Sequence, residues 1–569
     1  MSEEPTVSQR SGAAAPSPVS SPRVRLTLAS IAVAFAAADT YVVVLALPDM
    51  MAGVGLSADE LQRAAPIISG FLLGYIAVLP LIGRIADVVG RTPVLIGALV
   101  LFAVGSLITA GAYDLSLVVT GRFLQGVGGG GLVPATLALV ADLWPAGRRG
   151  LPLGVVGAVQ ELGSVLGPLL GALVLAVADW RYIFWLNLVV ALVLAVLLRG
   201  LRPPPLSAAV GFIACVALGL TLTAPERLAN GVTLGIPFIP FSGDSRLLTP
   251  IGVVTAFLLL LWIALLLRKS RLRELVGQVD VFGAVLLGVA LAGVVLAFAT
   301  ADPERELMAP AGPWLLVGAA VFAVAFAIWQ RRTSRAIVPH GLLGARPAWG
   351  SLVVSFLVGC ALIAALVDVP VFARTTQGGG QLAAALVLLR FLIALPVGAV
   401  VGGWLTRRYG LGLITGAGLA LAGVMFVVMT FWGRDALDHW PATVVLLLCG
   451  FGFGLALSPV NTAMLGATPP DSHGLVSALV VVARMVGMLV GVSALTAIGL
   501  RRYFAIVEDI PSPNELCPSA PGSCRPFVDA LRDAAISQVH AIFAGAAGCA
   551  FLAAVLAVLL LGRRGVVHR

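Results

Sequence analysis

The most prominent pattern in the sequence is a repeated run of apolar residues about as long as a membrane-spanning helix. A helix needs about 20 predominantly apolar residues to cross the hydrocarbon core of a bilayer. Short polar segments separate the runs that reach this length. The sixteen predicted spans are 26–47, 64–83, 93–112, 116–141, 151–178, 182–198, 207–223, 249–267, 281–300, 313–329, 349–372, 383–406, 411–432, 441–465, 474–500 and 537–561. The pattern therefore predicts an all-α integral membrane protein.

The composition supports this prediction and excludes other classes. Of the 569 residues, 59% are hydrophobic and 11% are charged, whereas a soluble domain carries about 25% charged residues. The chain has too little charge to cover a water-exposed surface, which excludes soluble enzymes. The net charge of +9 does not indicate nucleic-acid binding, because most arginines lie at the ends of apolar runs. We find no metal-ligand spacing, no nucleophile constellation and no phosphate-binding loop, so we expect neither catalysis nor a cofactor.

The order of the spans predicts two six-helix halves. Residues 1–22 are predicted to be a disordered tail, 23–200 the first half, 201–348 a four-helix linker insert and 349–569 the second half with a long loop at 501–536. Counted over alternate loops, 22 arginines and lysines fall on the side of the termini and 11 on the other side. Positive residues favour the cytoplasmic side, so both termini are predicted to be cytoplasmic.

The loop at 501–536, which is external in this orientation, carries two further predictions. Cys517 and Cys524 lie in it, and an oxidising exterior favours a disulfide, although two free thiols are the alternative. Residues 500–507 and 527–533 continue a helical pattern, and the prolines lie between them. We therefore expect the last two helices to project beyond the bilayer, with an ordinary soluble loop as the alternative.

Three motifs occur in order between residues 83 and 171. They are a loop with Gly83, Arg84, Asp87, Gly90 and Arg91, a fourth-span motif with Arg122, Gln125, Gly126 and Gly128, and a fifth-span motif with Gly163, Gly167, Pro168 and Gly171. Together they resemble the loop, fourth-helix and antiporter motifs of the major facilitator superfamily. The resemblance implies a fold of two six-helix halves, and the last motif implies export.

Each motif also has a physical reading. Asp87 can accept hydrogen bonds from amides at a helix start, while Arg84 and Arg91 reach neighbouring helix ends. Such a cluster could latch one conformation, and a solvated basic loop is the alternative. The glycines spaced four apart form a smooth stripe for close helix approach, and Pro168 permits a bend. Generic packing of small residues is the alternative reading of the stripe.

Segments around Asp39, Glu161, 391–398 and Arg484 carry a closer resemblance. They resemble the drug:H+ antiporter branch, and within it the mycobacterial-type triacylglyceride and multidrug efflux transporters. This resemblance implies lipid export across the inner membrane, a periplasmic lipoprotein partner and reduced drug sensitivity. It also implies that Asp39 and Glu161 are functional membrane carboxylates and that Arg484 is the family's helix-eleven arginine.

The chain departs from this family at three points. Val88 and Thr92 stand where relatives carry basic residues, and the second-half counterpart of the loop motif, at 402–410, lacks its acidic residue. Relatives have two linker helices, whereas four are predicted here.

Five charged residues stand out inside the predicted spans: Asp39, Arg122, Glu161, Asp368 and Arg484. Each costs about 2.5–3.5 kcal/mol at a span centre, so each must face the protein interior or a cavity. Asp39 and Glu161 are predicted to couple transport to protons, with Arg122 exchanging between them, and fixed ion pairs are the alternative. Asp368 lies near the outer interface, where simple solvation is the alternative.

The sequence therefore predicts a proton-coupled efflux transporter in a bacterial inner membrane. It would export triacylglyceride-like lipids, hydrophobic drugs or both by alternating access, driven by the proton gradient. A multidrug exporter without a lipid role and a non-transporting membrane scaffold are the alternatives. The titratable pair Asp39 and Glu161 argues against a scaffold, which would not need it.

Overall fold

The computed structural model is an all-helical bundle. It describes residues 21–56, 61–200, 205–224, 236–241, 245–267, 280–299, 309–333, 336–377, 381–517 and 524–562. The predicted tail at 1–22 falls outside these ranges except for its last two residues. Eighteen α-helices occur in them, and we number these in chain order.

Seven helices form the N-terminal half. They are α1 (Pro22–Gly53), α2 (Leu61–Ala77), α3 (Leu79–Val89), α4 (Arg91–Ala110), α5 (Leu115–Leu143), α6 (Gly150–Val177) and α7 (Arg181–Arg199). The linker contains α8 (Leu206–Thr223), α9 (Pro250–Leu267), α10 (Val281–Ala299) and α11 (Gly312–Arg332). The C-terminal half contains α12 (Arg346–Gln377), α13 (Gln381–Leu405), α14 (Leu411–Met429), α15 (Trp440–Gly466), α16 (His473–Val507), α17 (Pro513–Leu516) and α18 (Arg525–Leu560).

Each predicted apolar stretch coincides with helix. Among the described residues, twelve helices are long and apolar enough to cross a membrane, and the bent pair α2–α3 makes a thirteenth. The remaining three predicted stretches fall on α1, α6 and the slightly shorter apolar helix α9. The predicted span at 64–83 consists of two helices, because α2 and α3 meet at a bend of 41°. Pro80, in the first turn of α3, has no amide hydrogen with which to continue the helix of α2.

The topology gives the bundle two ends. We call the end where the described chain begins at Ser21 and ends at Gly562 the terminal face. The other end, where α16 ends at Val507 and α18 begins at Arg525, is the opposite face. The two halves share one hydrophobic core, and α3 packs against α16 while α6 packs against α13.

The four linker helices form two hairpins. Thr221 of α8 and Thr255 of α9 share a hydrogen bond of 2.9 Å, and α8 packs through Leu218 and Leu222 against Leu107 of α4. The first hairpin therefore lies against the N-terminal half. In the second hairpin α10 packs against α11, and it also contacts α2 of one half and α16 of the other.

The last two long helices project beyond a bilayer's thickness. At 1.5 Å per residue, the 35 residues of α16 and the 36 of α18 span about 53 Å, against about 30 Å for the hydrocarbon core. A disulfide joins Cys517, which follows the short helix α17, to Cys524, which precedes α18. Residues 518–523 between the two cysteines lie outside the described residues. The predicted helical continuation past 500 and before 533 is confirmed.

Two arginines fasten the base of this projection to the rest of the C-terminal half. Arg434, in the loop between α14 and α15, makes a two-pronged contact with Asp533 of α18 at 2.8 and 2.6 Å, and this hydrogen-bonded carboxylate raises the pKa of Arg434. Arg532 donates to the carbonyl oxygens of Thr375 and Thr376 at the end of α12. The side chain thereby satisfies carbonyls that a helix end leaves unpaired.

We predict that Arg532→Ala loosens the start of α18 while the bundle core is unaffected. The variant leaves the last carbonyls of α12 without their charged donor, so amide hydrogen exchange should become faster over residues 525–533. Mass-spectrometric exchange on the purified protein measures this change. Arg502→Ala, an exposed arginine on the neighbouring helix, is the matched control, and equal exchange in both variants would contradict the prediction.

Candidate functional site

The loop motif at residues 83–91 of the N-terminal half meets the start of α16 at the terminal face. Asp87 accepts hydrogen bonds from the backbone amides of Gly474 at 2.7 Å and Leu475 at 2.9 Å. These are the first amides of α16, which have no partner within their own helix, and a carboxylate there also complements the helix dipole. The two halves are therefore joined by a charged helix cap.

The motif's arginines bind the turn that precedes α16. Arg91 forms an ion pair with Asp87 at 3.0 Å and donates to the carbonyl of Pro470 at 3.3 Å. Arg84 donates to the carbonyl of Asp471 at 3.4 Å. We call Arg84, Asp87 and Arg91 together with residues 470–475 the latch.

Two glycines allow this close approach. A Cβ atom on Gly83 would lie 2.6 Å from the carbonyl oxygen of Gly474, and a Cβ on Gly474 would collide with the carbonyl of Gly83. Gly90 has a φ of +101°, a conformation that L side chains rarely adopt, and it lets the chain turn between α3 and α4. The motif residues thus serve the contact by shape as well as by charge.

A second charged group lies inside the N-terminal half. Arg122 of α5 pairs with Asp39 of α1 at 2.5 Å, and both side chains are at most 1% exposed. Arg122 also donates to Gln125 at 3.0 Å and lies 4.3 Å from the ring centre of Phe71. Asn187 of α7 donates to the other carboxylate oxygen of Asp39. Asp39 of α1 is therefore held by side chains of two other helices of the same half, α5 and α7.

A third charged group connects the two halves. Glu161 of α6 lies 3.7 Å from Arg484 of α16, and the two side chains are 10% and 12% exposed. The expectation that Arg122 exchanges between Asp39 and Glu161 does not match this pairing, since Glu161 has its own arginine. The physical reason is that α6 faces the other half at this level, whereas α5 packs against α1 and α2.

A narrow, partly open cavity lies between the two halves beside Arg484, and its empty space, counted together with its opening to solvent, is about 540 Å³. Most of its lining is apolar, and its polar groups come from Gln160, Ser355, Asn461 and Arg484. The apolar lining residues are Val133, Leu137, Leu153, Val358, Ala456, Leu457, Val460, Val480 and Val481. By their positions along the helices, these residues lie between the latch and the Glu161–Arg484 pair. A smaller crevice of about 300 Å³, lined by Phe35, Val42, Leu170 and Val174 among others, reaches Asp39 and Asn187.

The glycine stripe of the fifth span packs α6 against α1. A Cβ on Gly163 would collide with the carbonyl of Ala34, and one on Gly167 would collide with the carbonyl of Ala38. A Cβ on Gly171 would meet Val42 at an ordinary 3.6 Å. Pro168 lies within α6, in the stretch where the stripe runs along α1. The stripe therefore sets the distance between the helices that carry Asp39 and Glu161.

Asp368 does not lie where solvation would explain it. Its residue is only 8% exposed within α12, and among the described residues no side chain or amide donates a hydrogen bond to it. The alternative of simple solvation does not fit this burial, because the turn of α12 that contains Asp368 packs with Val369 and Phe372 against the core. The structure does not bring Asp368 to either arginine of the charged groups.

Comparison with known proteins follows this geometry. Residues 29–492 match the family model described as Major Facilitator Superfamily. The chain belongs to the major facilitator superfamily. A triacylglyceride transporter of Mycolicibacterium hassiacum is 35% identical over 95% of this chain and 92% of its own length. A probable triacylglyceride transporter of Mycobacterium leprae is 36% identical over 86% of each chain.

Solved structures support the fold of this major facilitator. The human organic anion transporter MFSD10 matches with a TM-score of 0.55 at 16% identity, over 94% of this chain and 99% of its own. The proton:xylose symporter XylE matches with a TM-score of 0.53 at 14% identity, over 96% and 97%. The predicted fold class is therefore confirmed, and the chain is a multi-pass membrane transporter.

The structure adds residues of this major facilitator that the sequence did not indicate. Asn187 and Phe71 contact the Asp39–Arg122 pair, yet an asparagine and a phenylalanine inside apolar runs look like ordinary packing residues. The feature that could have indicated these two residues is their position on helices that pack next to α1 and α5. His473, the first residue of α16, is 2% exposed and lies beside the latch.

We predict that Gly163→Ala destabilises this major facilitator whereas Gly171→Ala does not. The added methyl group at 163 must push α1 and α6 apart, and overpacking of this kind costs about 1–3 kcal/mol. Gly171 lies on the same stripe with room for a methyl group, so it is the matched control. Thermal unfolding midpoints of the purified variants measure the difference, and equal midpoints would show that the close approach is not needed.

Proposed function

We propose that this protein is a proton-coupled exporter of triacylglyceride-like lipids that works by alternating access between its two halves. The observation that carries the proposal is the Glu161–Arg484 pair, which joins the halves beside an apolar cavity. A carboxylate in such surroundings can take up a proton more readily than one in water. Protonation would remove the negative charge from Glu161 and release Arg484, so the two halves could move relative to each other.

The Asp39–Arg122 pair has a different role in this scheme. It lies within one half, so its protonation does not directly release an inter-half contact. The crevice beside Asp39 offers a route by which a proton could reach it. We propose that Asp39 receives the proton and that α1 and α6, held together by the glycine stripe, pass the change to Glu161.

The orientation follows from charge. With 22 arginines and lysines on the terminal side and 11 on the other, the terminal face is cytoplasmic. The latch then closes the cytoplasmic end of the transporter. Opening toward the cytoplasm requires Asp87 to leave the amides of Gly474 and Leu475. We propose the bacterial inner membrane as the location, with both termini in the cytoplasm.

The cargo is argued from two observations. The cavity lining is mostly apolar, which suits a molecule without charge. Relatives that match over more than four fifths of both chains are named triacylglyceride transporters. A hydrophobic drug would fit the same lining, so multidrug export is the second candidate. The projecting ends of α16 and α18 favour lipid, since a water-insoluble product needs an apolar path away from the bilayer, and a periplasmic lipoprotein is the partner that the resemblance implies.

We predict that Glu161→Gln and Asp39→Asn each abolish proton-driven export. Each amide keeps the shape of the side chain but cannot exchange a proton. Because each variant also leaves a buried arginine without its carboxylate, transport rates are compared per folded transporter, with folding measured by thermal unfolding. Export of radiolabelled triacylglyceride from proteoliposomes under an imposed pH gradient measures the effect. Asp435→Asn, which changes an exposed carboxylate in a loop, is the control. Native rates in both membrane variants would exclude proton coupling through these carboxylates.

We predict that the projection matters more for lipid than for drug. Replacement of residues 508–526 by a short Gly-Ser bridge should lower triacylglyceride export strongly while efflux of a small hydrophobic dye is largely kept. The physical reason is that a dye can leave through water, whereas a lipid cannot. Both cargoes are measured in the same vesicles. Equal loss of both would indicate a folding defect, and no loss of either would show that the projection has no role in transport.

A further inference from the structure

His473, the first residue of α16, is a buried histidine that the scheme above does not use. Its side chain is almost completely enclosed, with the residue 2% exposed. Its Nε2 atom lies 3.1 Å from the carbonyl oxygen of Leu465 and 3.3 Å from that of Thr468. Both neighbours are acceptors, so Nε2 must carry the hydrogen and donate it.

The two carbonyls belong to the end of α15 and the turn that follows it. α15 ends at Gly466 and α16 begins at His473, and the last carbonyls of a helix have no partner within it. The imidazole supplies that partner and bridges the end of one helix to the start of the next. The side chain therefore fixes the path of the turn between residues 466 and 473.

This same turn supplies every latch group that comes from the C-terminal half. The amides of Gly474 and Leu475 donate to Asp87, and the carbonyls of Pro470 and Asp471 accept from Arg91 and Arg84. These are backbone groups, so their directions depend on the conformation of the turn and not on any rotamer. A hydrogen bond to a carboxylate weakens steeply when the donor angle falls. A small change in the turn would therefore disturb several latch contacts together.

We propose that His473 is a positioning residue of the latch. Its neutral Nε2–H pins the α15–α16 turn, and the pinned turn aims the first amides of α16 at Asp87 of the other half. This inference rests on the proposed function in one respect, namely that the latch closes the terminal face during transport. It assigns to His473 a role in which the position of one nitrogen matters, and not only the volume of the ring.

Two near-isosteric variants distinguish these roles. The amide nitrogen of glutamine lies at the distance from the backbone that Nε2 occupies in histidine, whereas that of asparagine lies nearer, at the level of Nδ1. His473→Gln should therefore keep the hydrogen bonds, while His473→Asn and His473→Ala should lose them. Glutamine is also closer to histidine in volume than asparagine is, so His473→Met, which has a similar volume but no donor, is measured beside them. It should lose the hydrogen bonds and open the face like His473→Ala, and a native distribution for His473→Met would overturn the role of the hydrogen bond.

The experiment measures the opening of the terminal face directly. The free cysteines Cys215, Cys360, Cys449 and Cys549 are replaced by alanine, and spin labels are placed at Leu197 of α7 and Leu413 of α14. Both positions are exposed near the terminal ends of their helices, one in each half. Pulsed electron paramagnetic resonance then measures the distribution of distances between the two spin labels for the full chain in lipid nanodiscs. Asp87→Asn, which removes the carboxylate charge from the latch, is the reference for an opened face.

The expected result is that the distribution for His473→Gln matches the native one, whereas His473→Asn and His473→Ala add the longer distances seen with Asp87→Asn. Thermal midpoints are measured for all variants, and the Asn and Ala variants should unfold cooperatively. Native distributions in the Asn and Ala variants, with an open Asp87→Asn reference, would overturn the role of His473 alone. A native distribution in all variants, Asp87→Asn included, would overturn both this role and the latch of the proposed function. Opening by Gln equal to that by Ala would overturn the role of the Nε2 hydrogen bond.

Discussion

The cost of a charge inside an apolar protein governs this structure. A single charged side chain at the centre of a span costs about 2.5–3.5 kcal/mol, and removing one partner of a buried pair is costlier still. The chain meets this constraint by giving Arg122 and Arg484 each a carboxylate from another helix. The pairing decides which helices must adjoin, and it also defines where a proton can act. Asp368, which has no such partner among the described residues, is the exception.

The two arginine–carboxylate pairs differ in where they lie, and that difference gives them different roles. The pair within the N-terminal half is sealed, with side chains at most 1% exposed, whereas the pair between the halves is about a tenth exposed. The sealed pair within one half holds its helices together, and in the proposed scheme it receives a proton through the crevice beside Asp39. A partly accessible pair between halves can be broken by a proton and re-formed, which is what alternating access requires.

Close backbone contact makes the closed terminal face possible. Gly83 and Gly474 bring two helices from different halves within reach of Asp87, and the hydroxyl of Ser458 donates to the carbonyl of Gly150 on the other side of the same face. In each of these contacts a side chain of one half binds a backbone group of the other half. Within the described residues, Arg434 and Arg532 fasten the projection from the opposite face to the C-terminal half, so it is expected to move with that half.

The sequence by itself determined the membrane class, the helical stretches and their order. These follow from the lengths of the apolar stretches and from the positions of the charged residues between them, which are local properties of the sequence that determine insertion into a bilayer. The three motifs also indicated the superfamily, because all three occur in order within one segment, residues 83–171. The helical continuation of α16 and α18 could be predicted since prolines confine the break.

Only the tertiary structure decided which charges meet. The local sequence does not indicate that Arg484 pairs with Glu161 or that Arg122 pairs with Asp39. The partners are separated by 323 and 83 residues, and the packing of the helices brings them together. The burial of His473 is likewise decided by the fold. A polar residue near a helix end looks solvated until a second helix covers it, and the helix that covers it is chosen by the fold.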